Sequence, residues 1–475
     1  MSVDPADLVV RGGVGGLAAT YADLRDLADA HDALGDRVRA RGRAVLALTT
    51  EGDLLASAAL SPVSFATAEA ALTGAVWGTD GAYAAASHVE ADAVAVRSVV
   101  ALLAGADGTV ASGVGMLAHG LGRAAAPGLV AVAAPIAAGL TLVHLGGRLG
   151  AVPPLVTAAA RHPGLVEPVV VAVSGSVDVL TGRAPPVPGV LALPVAPDLL
   201  GSTGVLAGAY GPDGPPRVAH RGDLDGPVAP PRGVADLLDG LTVVHGLSDA
   251  PGGHGTVAVD TLVGADGSRR HVVHLPGTDD MGTPPWGQDD DVRDLATNLR
   301  LMAGEPTTYG AGVVEAMREA GVRPGEPVLL TGHSQGGMQA VALADDLAGS
   351  SYDVRQVVTA GSPTAQVPHL GEDVAVLSLE NRGDVVPLLD GAPNPDTPQR
   401  VTVTFDAPVT HGDGDGDGDG ATDPAERHRL GHYRDAAAAV DASMDPSLRT
   451  QVDRMREWGF LDAESAERRV FRITR

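Results

Sequence analysis

The chain of 475 residues contains no cysteine, and every one of its 33 basic residues is arginine. Without thiols, disulfides, thiolate metal sites and cysteine nucleophiles are excluded. The lack of lysine fits a GC-rich coding bias and carries no mechanism. Aromatic residues are scarce at 3%, and positive charge is outweighed, leaving a formal net charge of −26. A polyanion repels the phosphate backbone, so nucleic acid and anionic headgroups are excluded as partners by long-range attraction. The N-terminus lacks a basic segment followed by an apolar core and a small-residue cleavage site. The expected location is therefore cytoplasmic, or outside by a route without a cleaved signal peptide.

Hydrophobic residues make up 44% of the chain, and at this length more than one domain is expected. The composition divides it into a helical bundle or hairpin over 1–110, an uncharged Ala/Gly-rich segment plus a Pro-rich linker over 111–231, and an α/β catalytic domain over 232–475. In the first, Tyr21, Leu24, Leu27, Ala28 and Leu34 form an apolar stripe at helical spacing. Further helices are expected over Phe65–Val76 and Tyr83–Leu103, with no strands. Such paired helices with Trp77-Gly78 near the turn faintly resemble the small helical proteins exported by type VII secretion, whose signature is Trp-x-Gly. The spacer residue is absent here. The resemblance implies a protein partner for these helices.

Ala124–Gly147 carries no formal charge, and its 24 residues are long enough to span a hydrocarbon core of about 30 Å. Pro127, Pro135 and several glycines interrupt it, so membrane contact and burial between domains both remain open readings. Prolines crowd 184–231, which forbids long helices and central strands and sets the main boundary near Arg232. Acidic residues outnumber arginines 20 to 13 before Arg232 and 39 to 20 from there on.

The second half reads as strands alternating with helices, hence a mostly parallel sheet with helices on both faces. A hairpin is expected from Thr256 through Gly264-Ala265-Asp266-Gly267 to Leu275, and strands over Val354–Ala360, Val374–Leu379 and Arg400–Phe405. At its centre, Val328-Leu329-Leu330-Thr331 runs into Gly332-His333-Ser334-Gln335-Gly336 and then a helix-forming segment. Strand, sharp turn and helix in that order form a nucleophile elbow, with Ser334 as nucleophile. An activated serine needs a base, and the base needs an orienting acid. Asp384, in the loop after the second strand beyond the elbow, is where the acid belongs, with Glu380 and Asp390 as its nearest substitutes. His411, His428 and His432 follow the last strand. His428 is the preferred base and His432 the alternative. The oxyanion hole is expected from the amides of Gln335 and Thr278, and no cofactor or metal is required.

Val272-Val273-His274-Leu275-Pro276-Gly277-Thr278, Gly332-His333-Ser334-Gln335-Gly336-Gly337, Val357-Val358-Thr359-Ala360-Gly361-Ser362-Pro363 and Asp384-Val385-Val386-Pro387 resemble the class 3 lipase group of α/β-hydrolases. The resemblance covers the chain from about Arg232 onward. It implies Ser334, Asp384 and a late histidine as a triad, Thr278 at the oxyanion hole, and a loop over the site at Asp279–Asp291. The implied substrate is a small-molecule or lipid ester. An Asp-Gly tract, Gly412–Gly420, satisfies a calcium-loop pattern through Asp415, Asp417, Asp419 and Glu426. Two alternating residue types make that match by repetition, and a solvated loop is the expectation. The competing functional reading is a membrane-active or secretion-associated effector whose main role lies in the helical half.

Overall fold

The computed structural model describes residues 3–104, 115–116, 118–123, 166–183, 197–365, 367, 370–371, 373–407 and 424–475. Ala124–Gly147, His411 and the Asp-Gly tract lie outside them. No helix among the described residues is long and apolar enough to cross a membrane. Two compact units emerge, Leu17–Ala111 and the remainder, Met1–Gly16 with Ser112–Arg475.

The helical unit contains α1 (Leu17–Ala47), α2 (Gly52–Leu60), α3 (Pro62–Trp77) and α4, over 82–104. Small residues form the seam between the two long helices. Ala28, Gly35 and Gly42 are buried on α1, and Ala86, Ala93 and Val100 on α4, each set spaced by seven, which keeps one face toward the partner helix. A Cβ on Gly42 would lie 3.2 Å from Ala82, so the close approach depends on glycine there. Arg97 pairs with Asp32 at 2.7 Å, and Arg39 with Glu90. The expected apolar stripe is corrected by this seam. Of its members only Ala28 is buried, while Leu27 and Leu34 are exposed, because helices this close leave no room for leucine between them.

The larger unit is mixed α/β. Its strands are β1 (Val9–Gly12), β2 (Arg217–His220), β3 (Gly226–Val228), β4 (Thr256–Val263), β5 (Arg269–Leu275), β6 (Pro327–His333), β7 (Asp353–Ala360), β8 (Ala375–Asn381), β9 (Arg400–Phe405) and β10 (Ser465–Thr474). They lie in the order β1-β9-β8-β7-β6-β5-β4-β10-β2, with β3 also on β10. Strands β5 to β9 are parallel throughout. The pairings outside them are antiparallel, including the β4–β5 hairpin. Consecutive residues Val328, Leu329 and Leu330 are all fully buried, because a central parallel strand is covered on both faces.

The helices of this unit are α5 (Val166–Leu180), α6 (Leu199–Gly208), α7 (Val234–Asp249), α8 (Leu295–Met302), α9 (Thr308–Ala320), α10 (Gln335–Asp346), α11 (Leu430–Ala442) and α12 (Pro446–Glu457). One core packs α7, α11 and α12 against Val272, Leu329, Val358 and Leu377. The other packs α9 and α10 against Val273, Leu330, Val357 and Val376. Adjacent strand residues point into opposite cores, so helices lie on both faces as the pattern required. Four strands escaped the sequence reading: β1 in the stretch expected to be wholly helical, β2 and β3 in the Pro-rich stretch, and β10 in the charged C-terminal stretch. Pro227 in β3 is tolerated because a short edge strand can forgo one ladder hydrogen bond.

Candidate active site

Parallel strands bring their carboxyl ends to one edge of the sheet, and there the chain reverses into loops. Strand β6 ends at His333 and α10 begins at Gln335, leaving Ser334 alone to make the turn. Its φ of 53° makes it the single non-glycine residue with positive φ among the described residues. That conformation costs on the order of 1–3 kcal/mol and persists only where the surroundings enforce it. The glycines on either side make it fit. A Cβ on Gly332 would come within 2.3 Å of the Gly336 carbonyl, and one on Gly336 within 1.9 Å of the Leu275 carbonyl oxygen. Strand β5 can therefore run against the start of α10. Ser334 is partly exposed.

Asp384 follows β8 in a turn closed by its own N–H to the Asn381 carbonyl, 2.9 Å. Its carboxylate is buried and fully engaged. Oδ1 accepts from the Val386 N–H at 2.9 Å, and Oδ2 accepts from the Tyr433 hydroxyl and from Nδ1 of His428, the latter at 2.6 Å. A carboxylate acceptor on Nδ1 assigns the proton to that nitrogen and leaves Nε2 as the basic position. His428 is itself held from two strand ends. Asn381 donates to the Arg427 carbonyl at 2.8 Å, and His333 Nε2 donates to the His428 carbonyl at 3.0 Å. The rings of His333 and His428 lie against each other with centroids 4.5 Å apart and planes tilted by 31°.

The remaining sequence candidates fall elsewhere. His432, in the first turn of α11, faces Glu426 at 3.6 Å. Asp390 accepts from the Ala365 N–H at 2.7 Å, and Glu380 accepts from Asn394 at 2.6 Å. Burial, with Asp390 and Glu167 nearby, pushes the Glu380 carboxyl up to about 8; burial likewise raises Asp390 to about 7. Protonated carboxyls are poor orienters of an imidazole, and neither touches one among the described residues.

Thr278 and Gly277 close the loop after β5. A Cβ on Gly277 would lie 3.0 Å from Ser334 Cβ, so this loop abuts the serine. The Thr278 hydroxyl accepts from Asn298 at 3.0 Å, while no hydrogen bond among the described residues occupies the amide of Thr278 or of Gln335. The loop beyond is pegged at its base. The buried Arg293 guanidinium binds Asp279 at 2.6 Å, and the Asp279 N–H meets the Arg293 carbonyl at 2.9 Å. Trp286 stands 88% exposed on it.

Sequence reasoning did not assign His333, Tyr433 or Asn381. His333 lay in plain view within the elbow motif; nothing in the sequence indicated that Tyr433 would meet Asp384. Comparison with models of known protein families, with curated proteins and with solved structures found no match to this chain.

Proposed function

We propose that the chain is a serine hydrolase of carboxylic esters, an α/β-hydrolase of class 3 lipase character. Ser334 attacks the ester carbonyl while His428 Nε2 takes its proton, and Asp384 steadies the imidazolium through Nδ1. The oxyanion is met by the amides of Gln335 and Thr278, an interaction whose loss typically costs about 3 kcal/mol of transition-state stabilisation. His428 then protonates the departing alcohol, leaving an acyl group on Ser334. Water, deprotonated by the same imidazole, attacks that acyl group; the acid leaves and the serine regains its proton.

The observation that carries this reading is the 2.6 Å pairing of Asp384 with His428, whose ring packs against that of His333, the residue adjoining a strained, partly exposed Ser334. Chain order supports it as well, since serine, acid and histidine follow one another as in other hydrolases with an elbow. Steady-state turnover of p-nitrophenyl acetate tests it. Wild type is expected to show saturable release of p-nitrophenol and Ser334→Ala only the buffer rate; equal rates for the two would remove the proposal.

A further inference from the structure

His333 is nearly wholly buried, yet it packs as an imidazole where a purely apolar ring would fill the same space. Its Nε2 donates to the carbonyl of His428 at 3.0 Å, so Nδ1 carries the lone pair. That nitrogen is buried without a hydrogen-bond partner among the described residues, an expense that packing alone does not explain. The groups facing the ring are His428 at 4.5 Å between centroids, His245 at 5.9 Å and Tyr433 at 6.0 Å. Burial first, and then the neighbouring histidines, hold the His333 imidazole well below its ordinary value. It therefore stays neutral beside a residue that gains a proton in each half of the proposed cycle.

We propose that His333 is the positioning residue of the base: its N–H fixes the His428 backbone and its ring face fixes the plane of the His428 imidazole. The argument rests on the hydrolase reading above. The His428 side chain follows directly on the single helical turn Pro424–Arg427. The loop that delivers it is secured at consecutive carbonyls by Asn381 from β8 and by His333 from β6. The strand that presents the nucleophile thus also sets the position of the base. A misplacement of about 1 Å in such a pair can cost on the order of a hundredfold in rate.

Three substitutions separate the contributions. His333→Gln keeps a donor near the Nε2 position and loses the ring, His333→Met loses both at similar length, and His333→Phe keeps the ring and loses the donor. On p-nitrophenyl acetate, Met is expected to lower kcat at least about tenfold, with KM within about twofold of wild type. Gln is expected to recover about half of that loss on a logarithmic scale, with Phe also falling between Met and wild type. Unfolding midpoints identify which variants are folded, and the Gln–Met pair suffices if Phe does not fold. Wild-type kcat in Met, or equal kcat in folded Gln and Met, would overturn the positioning role and leave the hydrolase reading intact. Absence of turnover in the wild type would remove both.

Discussion

At the scale of single residues, one carboxylate distinguishes the two described candidate histidines. The sequence offers three late histidines, of which it prefers His428 and keeps His432 as the alternative. Only the fold reveals that Asp384 engages His428 while His432 turns to Glu426. His428→Ala is therefore expected to reduce kcat on a p-nitrophenyl ester by about three orders of magnitude or more. His432→Ala is expected to stay within about threefold of wild type by the same assay. Reversed outcomes would move the base to His432. The places of Ser334 and Asp384 just beyond strand ends were legible because local pattern marks where those strands stop. Tyr433 and Asn381 were not, because their roles exist only where segments distant along the chain meet.

At the scale of elements, the strands legible in the sequence are those built around an apolar run, such as Val257-Ala258-Val259 in β4 and Val328-Leu329-Leu330 in β6. Strand β10 was hidden by its charges. Arg468 sits buried within it, binding Asp260 of β4 at 2.6 Å, and Asp260 in turn holds His274 of β5 at 3.0 Å. A buried guanidinium paired across the sheet breaks the apolar alternation by which strands are read. The elbow, by contrast, is specified by glycines whose need is steric. In Gly336→Ala the new methyl group would meet backbone oxygen of Leu275, which cannot move aside as a side chain could. A loss of about 2 kcal/mol or more is expected in urea unfolding, with esterase activity falling alongside. Unchanged stability would mean that strand and helix are not packed as described.

The carboxyl end of β8 also implies a pH dependence. The raised Glu380 carboxyl keeps its proton in the fold up to about 8, whereas in the unfolded chain it ionises near its ordinary value of 4.5. The unfolded state is then the one that has released a proton, so this group's contribution makes stability fall as pH rises from 4.5 toward 8. Glu380→Gln keeps an oxygen to accept from Asn394 and removes the ionisation. Its unfolding temperature is expected to exceed that of wild type by about 2–4 °C at pH 8 and by little at pH 5. A gap that does not widen with pH would count against this carboxyl being held protonated.

At the scale of the whole molecule, the sequence conveyed the class of the second half and the helical character of the first, but not the sheet's full width. Strands β1, β2 and β3 are three or four residues each, too short for periodicity to register, and they gain their identity by pairing with β9 and β10. The loop after β5, over 279–291, is acidic, is pegged by Arg293 to Asp279, and exposes Trp286 and Met281 as its large apolar side chains. Such a loop offers little surface to an oil interface. Across a series of p-nitrophenyl esters, kcat/KM is expected to be highest for short, dissolved acyl chains, with no jump as substrate passes its solubility limit. A sharp rise above that limit would instead indicate interfacial action.

The proposed nucleophile is one hydroxyl, that of Ser334, raised on a strained turn, with the carboxylate-bound imidazole of His428 as its base. Labelling the intact chain with a fluorophosphonate and locating the adduct by peptide mass spectrometry tests this assignment most directly. The expected result is a single adduct on the peptide carrying Ser334, abolished in Ser334→Ala and strongly slowed in His428→Ala. Labelling that persists in Ser334→Ala, or none in the folded wild type, would contradict it.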